Sequence, residues 1–135
     1  MKTLTSKMAI KSDLDNIKDA MHWLKSNLRA SFKEEETYKH FRLCVQEAIT
    51  NSIIHGNNSN KNKNITLSYV LNEKIEIEIQ DEGPGILLEN QNSDSQKISK
   101  DDLLKESGRG IMLMKHFCDK VIFKKNSITL IMKYK

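Results

Sequence analysis

The first half of the chain spaces its apolar residues as helices do. One stripe steps by three and four residues and predicts an amphipathic helix that ends near residue 30. The members of this stripe are Leu14, Ile17, Met21, Leu24 and Leu28. Ser12 and Asp15 stand where a capping box would begin it, with Asp in place of the usual Glu. A second helix is expected over residues 37–55, with Gly56 as its C-terminal cap.

The second half of the chain alternates apolar and polar residues as strands do. This alternation predicts a β-hairpin with one solvent-exposed face over residues 65–71 and 75–79. It predicts a second hairpin over residues 121–123 and 128–134. A strand over residues 3–10 and a third helix after residue 110 complete the pattern. Helices and strands do not alternate strictly. The expected class is therefore α+β, a two-layer sandwich with helices on one face of a mixed, mostly antiparallel sheet.

The second helix carries polar residues that a plain core would not need. Its apolar residues surround most of the cylinder, which predicts deep burial, yet Glu47 and Asn51 lie four apart on one face. A buried carboxylate costs several kcal/mol unless it is paired, hydrogen-bonded or near a metal. The pair is either a satisfied polar contact or a site that holds a divalent ion and accepts a proton.

Two glycine-containing segments follow. Residues 81–86 read D-E-G-P-G-I after a strand, and residues 107–110 read S-G-R-G before a helix. Asp81 is either a solvated turn acid or an acceptor for an exocyclic amine, with the glycines letting a flat ring approach the backbone. Glycines at a helix N-terminus let unpaired N–H groups reach an anion, although a plain turn has the same composition. Neither segment is a Walker A loop or a dinucleotide fingerprint.

These three segments in order resemble the motifs of the GHKL ATPase superfamily. E-A-I-T-N-S-I-I-H-G-N (47–57) is similar to the N box, D-E-G-P-G-I (81–86) to the first glycine box, and S-G-R-G-I-M-L-M-K-H-F-C-D (107–119) to the second. Order, spacing and compact length are most similar to the anti-sigma-factor serine/threonine kinases. The resemblance covers nearly the whole chain, and it implies a histidine-kinase-like ATPase fold that binds ATP with Mg²⁺.

The resemblance also implies a role for each motif residue. Glu47 would be the general base, Asn51 would hold Mg²⁺, Asp81 would accept from the adenine amino group, and Thr129 would place a hydroxyl near the adenine. A lid is expected at about residues 87–107. The remaining residues implied at the nucleotide site are His55, Asn57, Gly83, Gly85, Ile86, Ser107, Gly108, Arg109, Gly110 and Ile111. His55 and Asn57 can equally be helix-end and loop residues. The expected lid lacks the proline- and aspartate-rich stretch of many relatives, which leaves its phosphate contacts open.

Length, charge and cysteine spacing indicate the number of domains, the class of partner and the cellular compartment. The 135 residues predict one domain, and a net charge of +4 on dispersed lysines favours solvation over nucleic-acid binding. Cys44 and Cys118 are isolated, which predicts buried free thiols in a reducing compartment. No apolar run approaches the ~20 residues of a membrane span and no leader is evident, so a cytoplasmic protein is expected.

Three functions stay open at this point. The resemblance implies a protein kinase that phosphorylates a small anti-sigma-factor antagonist and sequesters a sigma factor. Many relatives of this type dimerise, so a homodimer is an expectation. The alternatives are a nucleotide-binding module that only captures partners, and a detached catalytic domain of a histidine kinase system. The intact Glu47 and Asn51 pair favours the kinase, because a capture module needs no base.

Overall fold

The computed structural model describes residues 3–83 and 108–135. For Gly108 and Arg109 it describes the backbone alone. Its strands are β1 (Leu4–Lys11), β2 (Asn64–Leu71), β3 (Ile75–Gln80), β4 (Lys120–Lys124) and β5 (Ser127–Met132). Its helices are α1 (Ile17–Leu28), α2 (Glu35–Asn51) and α3 (Gly108–Phe117). Short 3-10 turns cover Leu14–Asn16 and Arg29–Ser31, and a π-helical turn covers Ser52–Gly56. No helix in these ranges is long and apolar enough to cross a membrane.

The sheet has the order β1-β2-β3-β5-β4, and every strand pair is antiparallel. The two hairpins predicted from the alternation are β2–β3 and β4–β5, and β5 inserts between β3 and β4. The predicted α+β class with an antiparallel sheet is confirmed. The pairing of β3 with β5 matters for the site, because it brings the end of β3 next to the turn before β5.

The helices cover one face of this sheet. Ile75, Ile77 and Ile79 on β3 are fully buried, whereas Glu76 between them is exposed. Such alternation places the isoleucines on the helix side of the sheet and the glutamates on the other side. The core side chains that α1, α2 and α3 contribute are Ala20, Leu24, Leu28, Tyr38, Phe41, Cys44, Val45, Ala48, Ile49, Ile111 and Met114.

The first helix begins differently from the prediction. Asp13 caps the 3-10 turn Leu14–Asn16 that leads into α1, accepting the Asp15 N–H at 2.9 Å, whereas the expected cap Ser12 is buried and its hydroxyl has no hydrogen bond among the described residues. The reason lies in the sheet: β1 continues to Lys11, and the Ser12 N–H donates to the Lys63 carbonyl. Ser12 therefore still belongs to the strand edge, and the helix start moves on by one residue.

The second helix also has different ends. It begins at Glu35, two residues early, and its regular α turns stop at Asn51. The chain then widens into the π-helical turn, in which the Asn57 N–H donates to the Ser52 carbonyl, five residues back, at 2.9 Å. Gly56 is thus not a C-terminal cap glycine. The left-handed conformation comes later, at Asn58 and Ser59, with φ of 52° and 58°.

Candidate functional site

α2 and α3 lie side by side and run in opposite directions. Near the start of α2, His40 stacks on Phe117 at the end of α3, with ring centroids 4.0 Å apart and planes 17° apart. Near the end of α2, Glu47 contacts Gly110 in the first turn of α3. The antiparallel arrangement therefore brings the N-terminus of α3 to the Glu47 carboxylate.

Glu47 and Asn51 are both half-buried, which corrects the expected deep burial of this helix. They lie on the side of α2 that faces α3, not on the side that faces the sheet, and Ile54 further on is 38% exposed. Partial exposure removes most of the desolvation cost that a fully buried carboxylate would carry. Within residues 3–83 and 108–135, neither side chain forms a hydrogen bond or a salt bridge. Both keep their oxygens available to a ligand.

Gly110 makes the close approach of the two helices possible. A Cβ built on Gly110 would lie 2.8 Å from Glu47 Oε2 and 3.2 Å from Glu47 Cβ. The first N–H groups of a helix have no partner within the helix, and they attract anions. α3 begins at Gly108, earlier than the predicted start after residue 110, so Gly108, Arg109 and Gly110 form its first turn, which faces Glu47.

Only some of the residues that were predicted to form the nucleotide site around α3 lie within the described parts of the chain. Ile111 is buried in the core, where its side chain packs against the other helices. The Arg109 side chain lies outside the described residues, and so do Gly85, Ile86, Ser107 and the predicted lid at 87–107. Their assignment to a nucleotide site stays a prediction.

Asp81 is held in place from two directions after the end of β3. Its Oδ1 accepts the Gly83 N–H at 2.8 Å and the Asn126 side-chain amide at 3.0 Å. The Asp81 N–H donates to the Asn126 carbonyl at 2.8 Å. Among the described residues no donor reaches Oδ2. Asp81 is half-buried, so one carboxylate oxygen is fixed by the protein and the other can accept a hydrogen bond from a ligand.

Two glycines allow the turn after Asp81 to pack against the end of the helix. A Cβ on Gly83 would overlap the Gly56 carbonyl oxygen, and a Cβ on Gly56 would overlap the Asp81 carboxylate. Gly83 therefore lacks a side chain because of its contact with Gly56. This differs from the expected reason, which was room for a flat ring. The contact fixes Asp81 beside the last turn that follows α2.

Asn57 connects three segments around Asp81. It is 1% exposed, its Oδ1 accepts the Glu82 N–H at 2.8 Å, and its Nδ2 donates to the Asn64 carbonyl at 3.1 Å. The Glu82 carboxylate in turn accepts the Asn64 N–H. The side chain of Asn57 thus positions the backbone next to Asp81. His55 is exposed at the end of the π-helical turn, and its role at a ligand stays a prediction.

Thr129 lies on the other face of the sheet from the one expected. It pairs with Glu78 and Ile122 in the β3–β5–β4 register, and Glu78 belongs to the polar face. Asn126 has the opposite parity, and its amide reaches both Asp81 Oδ1 and the Gly83 carbonyl, the latter at 2.6 Å. Asn126 is therefore a residue positioning Asp81 that the sequence reasoning missed. Its position in the turn K-K-N-S was only a weak indication of a contact with Asp81, because the sequence alone does not show the register of β3 with β5.

The described residues offer few ligands to a metal ion. No group of three or more His, Cys, Asp or Glu side chains clusters within the described parts of the chain. The Asn51 amide oxygen is a hard oxygen donor of the kind Mg²⁺ prefers. Mg²⁺ in proteins usually takes one or two protein oxygens and completes its shell with phosphate and water. This donor set therefore fits Mg²⁺ bound together with a phosphate ligand.

Comparison with known proteins agrees with this arrangement of motifs. The histidine kinase-like ATPase domain family matches residues 10–134, nearly the whole chain. The chain belongs to this family. The resemblance inferred from the three motifs is confirmed, and the histidine kinase-like ATPase domain accounts for an α+β sandwich with helices on one face.

Two curated proteins are similar to this histidine kinase-like ATPase domain. The serine-protein kinase RsbW of Staphylococcus aureus strain JH9 is 33% identical over 97 residues, which cover 67% of this chain and 61% of RsbW. The anti-sigma F factor of Priestia megaterium is 38% identical over 82 residues, which cover 59% of this chain and 55% of the relative. The chain therefore spans about three-fifths of the length of the curated relatives it matches.

Proposed function

We propose that this chain binds ATP with Mg²⁺ and transfers its terminal phosphoryl group to a serine or threonine of a small partner protein. The observation that carries the proposal is the contact between Glu47 and Gly110. A carboxylate repels a phosphate that is bound at the same helix N-terminus, because like charges repel. A carboxylate at this position is useful when a proton must be removed beside the bound phosphate.

The distance between the two ends of the site supports a nucleotide as its ligand. Asp81 contacts Gly56, and Glu47 lies nine residues earlier in the same helical segment. At a rise of 1.5 Å per residue the two ends are roughly 13 Å apart. Asn51 lies between them. An extended nucleoside triphosphate fits this line, with its base at Asp81 and its terminal phosphate at Gly110.

Each end has the chemistry that its assignment requires. The free Oδ2 of Asp81 accepts a hydrogen bond from the exocyclic amine of adenine, while Asn126 and the Gly83 N–H hold Oδ1. At the other end the N–H groups of the first α3 turn bind phosphate oxygens. Asn51 would hold Mg²⁺ together with the phosphates, and the ion would supply positive charge against the negative charge of the transferred group.

Glu47 acts as the general base in this scheme. It takes the proton from the attacking hydroxyl as the oxygen of that hydroxyl bonds to the terminal phosphorus, and ADP leaves. Phosphoryl transfer depends mostly on positioning and charge stabilisation, so one well-placed carboxylate and one helix N-terminus suffice on the protein side.

The regulatory role rests on the names of the relatives and on the motif resemblance. One relative is named a serine-protein kinase and another an anti-sigma F factor. The proposed partners are therefore a small anti-sigma-factor antagonist as phosphate acceptor and a sigma factor that is sequestered. We further propose that residues 1–135 act as one domain in the cytoplasm and that the protein forms a homodimer.

The proposed function is tested with γ-labelled ATP and with candidate acceptor and sigma proteins, chosen from the products of the genes next to the gene of this chain. Acid-stable phosphate on a partner, dependent on Mg²⁺, is the expected result. Acid-labile phosphate would instead indicate a histidine kinase system. Nucleotide binding without any transfer would leave a capture module and overturn the kinase assignment.

A further inference from the structure

The seam between α2 and α3 continues past Glu47, away from the end of the site that is assigned to adenine. Two contacts fix its course: Cys44 Sγ donates to the Leu113 carbonyl at 3.6 Å, and His40 stacks on Phe117 with ring centroids 4.0 Å apart. Cys44 is a buried free thiol, as predicted. Two stripes with steps of three and four residues therefore run antiparallel along the helices. Their members are His40, Leu43 and Glu47 on α2 and Gly110, Leu113 and Phe117 on α3.

The side chains in this part of the seam are only partly covered. We call the four half-buried residues His40, Leu43, Leu113 and Phe117 the outer seam. Neither leucine belongs to the core of the described residues or packs against it. Apolar side chains that lie together at a surface and support no core stabilise a complex when a partner buries them. The outer seam therefore has the character of a docking surface.

The geometry of phosphoryl transfer indicates what docks there. The attacking oxygen and the leaving oxygen lie roughly in line through the terminal phosphorus. In the proposed function ADP leaves toward Asp81, which contacts Gly56 beyond the end of α2. The acceptor hydroxyl must then enter from the opposite side of Glu47. That side carries His40 and Leu43, which precede Glu47 on α2, so the segment that bears the hydroxyl lies over the outer seam.

The spacing along α2 determines which residues of the acceptor meet the outer seam. Leu43 precedes Glu47 by four residues and His40 precedes it by seven. At 1.5 Å per residue these separations are roughly 6 Å and 10 Å along the helix. An extended chain covers about 3.3 Å per residue. A segment whose hydroxyl reaches Glu47 therefore presents the residues two and three positions away to Leu43 and to the stacked rings of His40 and Phe117.

The charge beside the outer seam favours an acidic segment. Lys39 lies one turn before Leu43 on the same face of α2 and is exposed. It forms no salt bridge within residues 3–83 and 108–135. The net charge of +4 on the whole chain acts in the same direction. Complementary charge steers a partner to its site and fixes its orientation there.

We propose that the outer seam is the docking site for the acceptor segment. This segment is an extended stretch of the small partner protein with a serine or threonine, an apolar residue two or three positions away and an acidic residue close by. The inference rests on the proposed function, because the direction of entry follows from the positions of ATP and Glu47. Leu43 and Leu113 then select the acceptor, whereas Glu47 removes its proton.

The docking site is tested with Leu43→Ser in transfer to the acceptor that labelled ATP identifies. We expect the KM for the acceptor to rise about tenfold, as loss of one partly buried leucine contact predicts, while kcat and ATP affinity stay within about twofold of the wild type. Met112→Ser is the matched control, since Met112 is 59% exposed on α3 and belongs to neither stripe. It should change none of these values. Lys39→Glu, at an exposed position, should also raise the KM.

The acceptor provides a second test that leaves this chain unchanged. Serine in place of the apolar residues two and three positions from its phosphorylated hydroxyl should raise the KM similarly, and should add little in combination with Leu43→Ser. If Leu43→Ser failed to fold, these acceptor variants and Lys39→Glu would decide.

Three results would overturn the docking site while the proposed function stood. They are an unchanged KM, a loss of ATP affinity in place of a rise in KM, and a loss of dimer with the KM unchanged, which would assign the outer seam to a second copy of the chain. Absence of any transfer by the wild type would overturn the proposed function itself, and the docking site with it.

Discussion

Gly110 lies directly against Glu47, so close that a Cβ on the glycine would come within 2.8 Å of Oε2. Through this contact the carboxylate of one helix lies at the N-terminus of another, the place where an anion binds best. Both residues come from motifs more than 60 positions apart in the sequence. The predictions below start from this contact and from the cluster around Asp81.

Gly110→Ala should displace the Glu47 carboxylate without unfolding the protein. The tip of a glutamate moves easily, and alanine gains up to about 1 kcal/mol over glycine within a helix, which offsets the contact with Glu47 Cβ. We expect a urea midpoint close to that of the wild type and a transfer rate lower by up to about 10²-fold.

A double-mutant cycle on transfer rates distinguishes this cause from a general defect. In a Glu47→Gln background the alanine at 110 has no base left to displace, so it should cause little further loss. If the two losses multiplied instead, Gly110 and Glu47 would act independently and the contact would have no role in catalysis.

Asn126 should support both stability and adenine binding. Asn126→Ala removes the amide donor to Asp81 and to the Gly83 carbonyl. The expected cost is about 1–3 kcal/mol in the free energy of unfolding, because two partly buried acceptors lose a partner. Affinity for ATP should fall with it, and urea titration and calorimetry measure the two effects.

Asn126→Asp provides the matched comparison. It keeps the shape of the side chain but places a second carboxylate against Asp81, and like charges repel. We expect the stability order wild type, then Asn126→Ala, then Asn126→Asp. An aspartate variant as stable as the wild type would contradict the hydrogen bond to Asp81.

The destabilising effects of Gly56→Ala and Gly83→Ala should differ in whether Asp81→Ala relieves them. Gly83→Ala sets a Cβ against the Gly56 carbonyl, whereas Gly56→Ala sets one against the Asp81 side chain. Overpacking of this kind costs typically about 1–3 kcal/mol. Asp81→Ala should partly rescue Gly56→Ala, because it removes the carboxylate, and should not rescue Gly83→Ala, because a backbone carbonyl cannot be removed. Unfolding free energies of the single and double variants check this, and equal rescue of both glycine variants would count against it.

Asp13 should give the 3-10 turn before α1 an acid-sensitive cap. The hydrogen bond from the Asp15 N–H lowers the pKa of Asp13 below its ordinary value of 3.8. A lowered pKa in the folded state means that the carboxylate stabilises the fold above pH 3.8 and that this contribution is lost as the pH falls through the folded value. Asp13→Asn should keep the cap and reduce this acid sensitivity, while Asp13→Ala should lose the cap at neutral pH. Urea midpoints across this pH range test the sign, and identical pH profiles for wild type and Asp13→Asn would disprove it.

The element pattern and the motif residues could be predicted from the sequence because they depend on local spacing. The apolar stripe of α1 and the alternation of β2 and β3 identify their structures directly. The three motifs identified the family, which the comparison confirms. The contact between Glu47 and Gly110 was implied only by the resemblance, since no spacing rule places α2 beside α3.

Two of the errors in the prediction depend on contacts between distant residues. Ser12 was chosen as the cap, but its N–H donates to the Lys63 carbonyl just past the end of β1, and Asp13 caps the 3-10 turn that follows. Thr129 was placed near the adenine, but in the register of β3 with β5 it pairs with Glu78, whereas Asn126 in the preceding turn reaches Asp81. Such registers are set by packing of whole strands, and a single sequence does not display them.

The central claim is that Glu47 is a base and not a ligand-holding residue. The most direct measurement compares Glu47→Gln with Glu36→Gln, an exposed glutamate in the first turn of the same helix. The account predicts that Glu47→Gln lowers the rate of phosphoryl transfer by about 10²–10⁴-fold with ATP affinity nearly intact, and that Glu36→Gln changes neither. Loss of ATP binding together with transfer in Glu47→Gln, or full transfer by that variant, would contradict the assignment.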